Sequence, residues 1–159
     1  MVDALIESWW IHHRINLYLL DAIPPEALED RISQGRTVAA QFGHIHNVRF
    51  QWIKAAAPSC PLGLEKLDLQ QALSHQQLQT ALDQSATAMA SRLTSALEGG
   101  KFTVFKPHPQ AFLAYLISHE SHHRGQILTT LKLHQHLPDQ EIRWGIWDWK
   151  KHSEASSVQ

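Results

Sequence analysis

Proline and glycine constrain this chain more than any other feature: they cut it into four stretches of about 20 residues, long enough for stable helices, and leave no run that reads as a strand. The first stretch, Asp3 to Ala22, stops at Ile23-Pro24-Pro25, where consecutive prolines lack the amide and clash with the preceding turn. A short helical turn is expected over Glu26–Ile32, before Gly35. The second stretch opens at Thr37, whose side-chain oxygen suits an N-cap, and reaches about Ala57, just ahead of Pro58. Ser59–Leu69, with Pro61 and Gly63, reads as a crossover loop. The third starts at Ser74, where Ser74-His75-Gln76-Gln77 has the spacing of a capping box. It carries Leu78, Leu82, Met89, Leu93 and Leu97 and ends at Gly99-Gly100. The fourth runs from Pro109 to about His134, with Phe112, Leu116, Ile127 and Leu131 at helical spacing, and Pro138 ends it. The pattern predicts an all-α protein, a four-helix bundle with one long connection. A single domain is expected over residues 1–152, followed by a frayed polar tail over 153–159. The aromatic segment from Arg143 to Trp149 is expected to pack as a lid over one end of the bundle.

Composition removes several function classes. A chain of 159 residues can bury a core without a disulfide or a structural metal. The single cysteine, Cys60, excludes an intramolecular disulfide framework. Lys and Arg number 14 against 15 Asp and Glu, so the basic footprint of a nucleic-acid binder is missing. No apolar run approaches the ~18 residues of a membrane span, and the N-terminus, with Asp3 and Glu7, has no secretory pattern. A cytoplasmic protein with neither a nucleic-acid nor a membrane partner is expected.

The chain is rich in histidine, with 12, and in tryptophan, with 6, so position must decide what these residues do. The densest signal is Ser118-His119-Glu120-Ser121-His122-His123-Arg124-Gly125-Gln126. Residues four apart share a helix face, so His119 and His123 project side by side and extend the stripe of Phe112, Leu116, Ile127 and Leu131. Two such imidazoles can share one metal at ~2.0–2.1 Å each. His122 lies about 100° round from His123 and is the poorer partner for His119. Neutral imidazoles suit zinc, nickel, iron or copper rather than calcium or magnesium. Glu120 follows the first histidine as the general base does in a zincin helix, but no other zincin landmark accompanies it.

A further ligand must come from another helix, and the second offers His44 and His46, about 200° apart. Periodicity leaves both open; the apolar face through Val38, Phe42, Ile45 and Trp52 lies nearer His46. His12, His13 and Arg14 read as a solvated face, with the mouth of the pocket as the alternative. His75, inside the capping box, is expected to be exposed. Trp52, Trp147 and Trp149 are candidate pocket walls.

Gly43-His44-Ile45-His46-Asn47-Val48-Arg49 on one helix and His119-Glu120-Ser121-His122-His123-Arg124-Gly125-Gln126 on a later one resemble the DinB/YfiT-like superfamily over most of the chain. The resemblance implies a four-helix bundle of up-down-down-up topology. It also implies a metal site with one histidine from the second helix and two, four apart, from the last long helix: here His44, His119 and His123. His44 precedes Trp52 by eight residues, as the family's ligand precedes its usual aromatic. Arg49 stands where many members carry an acid.

Three ligands would leave coordination positions open, as in catalytic rather than structural sites. The resemblance implies a metal-dependent enzyme, with zinc or nickel as the expected metal, transferring a low-molecular-weight thiol to an electrophile. The alternatives are a hydrolase using metal-bound hydroxide and a non-enzymatic metal-binding stress-response protein. Metal binding is expected to weaken below about pH 6, where ordinary histidines protonate. The apolar content of the first helix and the tail, with the resemblance, implies a homodimer.

Overall fold

The computed structural model of the chain describes residues 1–56, 63–99 and 103–154, and of Glu154 only the backbone. Four long helices, α1 (Val2–Asp21), α2 (Val38–Ala56), α3 (His75–Leu97) and α4 (Pro109–Leu133), are followed by two short ones, α5 (Gln140–Gly145) and α6 (Trp149–Glu154). Among the described residues there is no strand, only an isolated bridge between Arg31 and Thr37. Cys60 and residues 155–159 of the predicted tail lie outside the described residues.

The predicted boundaries follow from local chemistry. Thr37 Oγ1 accepts from the Ala40 amide at 3.0 Å, so α2 begins capped. The capping box of α3 closes both ways, with the Gln77 amide on Ser74 Oγ and the Ser74 amide on Gln77 Oε1 at 2.9 Å. His108 caps α4 through Nδ1, which accepts from the Ala111 amide at 3.1 Å, just before Pro109 in the first turn. The helical turn expected over Glu26–Ile32 is a shorter 3₁₀ turn, Pro25–Glu29. The chain reverses after it: Asp30 O accepts from the Val38 amide at 2.9 Å, closing a loop that delivers the backbone into α2. His75 is half-buried rather than exposed, and its Nε2 donates to Ile23 O at 2.8 Å, tying the start of α3 to the end of α1.

Paired contacts give the helix directions. His46 and Arg49 meet Ala81 and Leu82, so α2 and α3 run parallel. Trp9 and His13 meet Ala86 and Asp83, so α1 and α3 run antiparallel. Gln41 meets His123 and Trp52 meets Tyr115, so α2 and α4 run antiparallel. α1 and α4 therefore point one way, α2 and α3 the other.

The core is divided. One apolar cluster gathers Ile15, Leu19, Phe42, Ile45, Leu78, Leu82, Ile127 and Leu131. The other gathers Trp9, Ile53, Met89, Leu93, Phe112 and Leu116. Between them, on every long helix, sits a buried polar layer: His12 and Asn16 of α1, Arg49 of α2, Ser85 of α3, Glu120 and Arg124 of α4.

The tail corrects the lid expectation. Ile146 is buried in the first cluster, and a Cβ on Gly145 would run into the Tyr18 ring, so α5 and α6 lie against the side of α1. Arg14 Nε donates to His152 O at 2.5 Å, and Lys151 sits 4.6 Å from the centre of the Tyr18 ring. Trp144, Trp147 and Trp149 stay 67%, 74% and 40% exposed.

Candidate metal centre

α2 and α4 face each other, and His44, His119 and His123 meet between them. Ligand atoms from the three rings all lie within 4.8 Å of one another. The His44–His123 and His119–His123 ring centres are both 4.6 Å apart, and those of His44 and His119 are 5.5 Å apart. His119 Nε2 and His123 Nε2 approach to 3.1 Å. Two nitrogens on a tetrahedral metal with bonds of ~2.0–2.1 Å are about 3.3 Å apart, so this pair needs almost no movement to share an ion. The donor set fits a borderline transition metal.

Burial of the rings disfavours their charged forms. Desolvation first, then the nearby Arg36 and His119, holds His44 down to about 4. Desolvation, then His119 and His44, holds His123 down to about 4. His119 is lowered as well, again by desolvation first. All three are neutral near pH 7, with lone pairs available for a cation.

His46 is oriented differently. Its Nδ1 lies 2.8 Å from Ala81 O and its Nε2 2.8 Å from Glu65 O, so the ring is wedged between α3 and the segment that crosses over to it. At 1% exposure His46 is deeper than half-buried His44, as the apolar face indicated. The deeper histidine is wedged between two backbone carbonyls, to one of which a neutral ring donates; the shallower one meets the pair on α4.

The outer nitrogens are also partly held. His123 Nδ1 donates toward Gln41 Oε1 at 2.8 Å and Gln126 Oε1 at 3.0 Å, which leaves Nε2 as the lone-pair nitrogen facing His119. His119 Nδ1 is buried with no hydrogen-bond partner among the described residues. His122 is exposed and packs its ring beside His123 at 5.2 Å. Asn47 clamps Leu67 instead of supporting a ligand, accepting from its amide at 2.8 Å and donating to its carbonyl at 2.9 Å.

The polar layer behind the site is what sequence reasoning missed. His12 and His13, read as solvated, are 0% and 3% exposed. His12 Nε2 lies 2.9 Å from Glu120 Oε2, and His13 Nε2 2.8 Å from Asp83 Oδ1. Glu120 also accepts from Arg49 Nε at 2.7 Å, Arg49 Nη2 at 2.6 Å and Asn16 Nδ2 at 2.7 Å. Burial alone would raise the Glu120 pKa, but the Arg49 charge and hydrogen bonds, with His12, outweigh it and hold the carboxyl well below the usual carboxylate range. Arg124 Nη1 donates to Asn16 Oδ1 at 2.6 Å. Glu120 therefore faces away from the histidines, and the zincin comparison fails on orientation. On α4 it is Glu120 that occupies the centre of the apolar stripe; His119 and His123 lie on its flank toward α2. The signal was in the sequence: Glu120 is four residues after Leu116 and seven before Ile127, and Arg49 is four from both Ile45 and Ile53.

Along the α2–α4 groove the triad has contrasting neighbours. On one side Tyr115 stacks on His119 at 5.9 Å and joins Trp52, Phe105 and Phe112 in an aromatic cluster. Trp52 stands one ring removed from the site, behind Tyr115; Trp147 lies in a separate crevice with Gln140, Arg143 and Trp144. On the other side a polar cleft of about 570 Å³ opens, lined among others by Arg36, Gln41, His122 and Gln126.

A family model described as the DinB family matches residues 1–139. No curated protein and no solved structure gives a significant match.

Proposed function

We propose a function from the premise that this chain belongs to the DinB family: it is a metal-dependent enzyme whose His44, His119 and His123 hold one divalent transition ion, zinc or nickel. Its reaction, in this reading, transfers a low-molecular-weight thiol to an electrophilic substrate. The observation that carries the reading is the triad itself: three neutral imidazoles with converging ligand atoms, beside a cleft large enough for a small molecule.

A bound divalent ion with three protein ligands supplies one kind of chemistry, lowering the pKa of a coordinated thiol so that it is a nucleophile at neutral pH. The chain's own residues do the rest. Gln41 and Gln126 fix the His123 ring with Nε2 toward the centre. Tyr115 restrains His119 by stacking. The aromatic cluster of Trp52, Phe105 and Tyr115 excludes water along one side and offers an apolar wall to an electrophile.

Elemental analysis of the purified chain, followed by turnover assays with and without low-molecular-weight thiols, tests the proposal. Stoichiometric metal with thiol-dependent turnover is the expected result. Turnover of esters or amides without thiol would replace transfer by hydrolysis, and stoichiometric metal with no turnover would leave a metal-binding protein alone.

A further inference from the structure

The cleft beside the triad has a one-sided charge. Its walls are Arg36 from the loop before α2, Gln41 of α2, and Ser121, His122, Gln126 and Thr129 of α4. Among the described residues no carboxylate lines it, so every hydrogen-bonding group on its walls is neutral or a cation. Arg36 is exposed and, among the described residues, makes no ion pair with Asp30 or any other acid. Gln41 and Gln126 belong to both the cleft and the triad, since they hold His123 Nδ1. The cleft thus adjoins the outer edge of His123, and on its wall stands a guanidinium whose planar, paired N–H donors are matched by a carboxylate.

We propose that this cleft is the subsite for the carboxylate-bearing end of the substrate, with Arg36 as the cationic anchor and the Gln126 side-chain amide as a neutral hydrogen-bond donor. The inference rests on the metal reading above and deepens it: the molecule taken up is a small anion with one end for the triad and a carboxylate for Arg36. Arg36 is a specificity determinant, not a ligand, so its replacement leaves metal uptake alone.

The test uses the full chain loaded with cobalt(II), whose ligand-field absorbance reports what enters its coordination sphere. The probes are succinate, with a carboxylate at each end, and succinamate, of the same length with one carboxylate replaced by a neutral amide. Wild type is expected to bind succinate about fivefold more tightly than succinamate, the gain available to a partly solvated Arg–carboxylate pair. Arg36→Gln should bring the ratio to about two, the statistical advantage of two equivalent carboxylates, at unchanged cobalt stoichiometry, and Arg36→Lys should recover part of the preference. Equal ratios in wild type and Arg36→Gln, or no spectral response to either probe, overturn the subsite. Failure of wild type to take up cobalt overturns the metal reading and the subsite together. Arg36-dependent selection of succinate in a protein that ignores thiols supports the subsite and removes thiol transfer.

Discussion

At the scale of single residues, the site depends on which nitrogen each imidazole turns inward. His123 is fixed from outside by Gln41 and Gln126, and that support is separable from ligation. Gln41→Leu, with Gln126→Leu beside it, should weaken metal affinity about tenfold to a hundredfold without unfolding the chain. A chelator competition titration reads this directly, and unchanged affinity in the double variant contradicts it. The pH dependence has a definite sign. His44 and His123 are held at about 4 when folded and return to about 6.5 when unfolded. Between those values the unfolded chain binds more protons, so the stability they contribute is present above about 6.5 and is lost as pH falls toward about 4. On the folded protein, protons compete with metal at His44 and His123 near the lower value. Affinity should persist below the pH 6 expected of ordinary histidines and be lost as pH falls toward about 4. A decline centred near 6.5 would show that burial does not set these groups. None of this was legible in the sequence, which places the i, i+4 pair on α4 but carries no measure of desolvation.

At the scale of the elements, each long helix was legible because its start and stop are local chemistry, whereas the rotation of α4 was not. The stripe of Phe112, Leu116, Ile127 and Leu131 is continued by Glu120, a residue that apolar pattern matching passes over. A carboxylate is tolerated there because Arg49, His12 and Asn16 converge on it from two other helices. This polar layer sets which flank of α4 meets α2, and so where His119 and His123 point. Glu120→Ala should cost about 3–5 kcal/mol, because it leaves the Arg49 guanidinium buried without its counter-charge. Urea unfolding measures the loss, and a cost below about 1 kcal/mol would mean the layer is incidental. Ser74→Ala, which opens the α3 capping box, should cost only about 1 kcal/mol in the same assay.

At the scale of the whole molecule, the bundle brings residues 44, 119 and 123 together by setting α2 antiparallel to α4, and the tail takes no part. The sequence showed an aromatic segment but not its docking, which follows from Gly145 meeting Tyr18 and Ile146 entering the core. No described helix is long and apolar enough to cross a membrane. With Trp9 buried, the expected homodimer would use the three exposed tail tryptophans. Sedimentation equilibrium at micromolar concentration should then give a dimer that Trp147→Ser loosens, and a monomer contradicts it. The choice between His44 and His46 was open to periodicity because burial and ligation diverge: the more buried ring is held between the Ala81 and Glu65 carbonyls. The central claim is that His44, with His119 and His123, forms one transition-metal site. It is tested most directly by metal stoichiometry in alanine variants at 44, 46, 119 and 123. The account predicts that His44→Ala, His119→Ala and His123→Ala lose the metal while His46→Ala, though less stable, keeps it. A full site in His44→Ala beside an empty one in His46→Ala, or equal occupancy in all four, would contradict it.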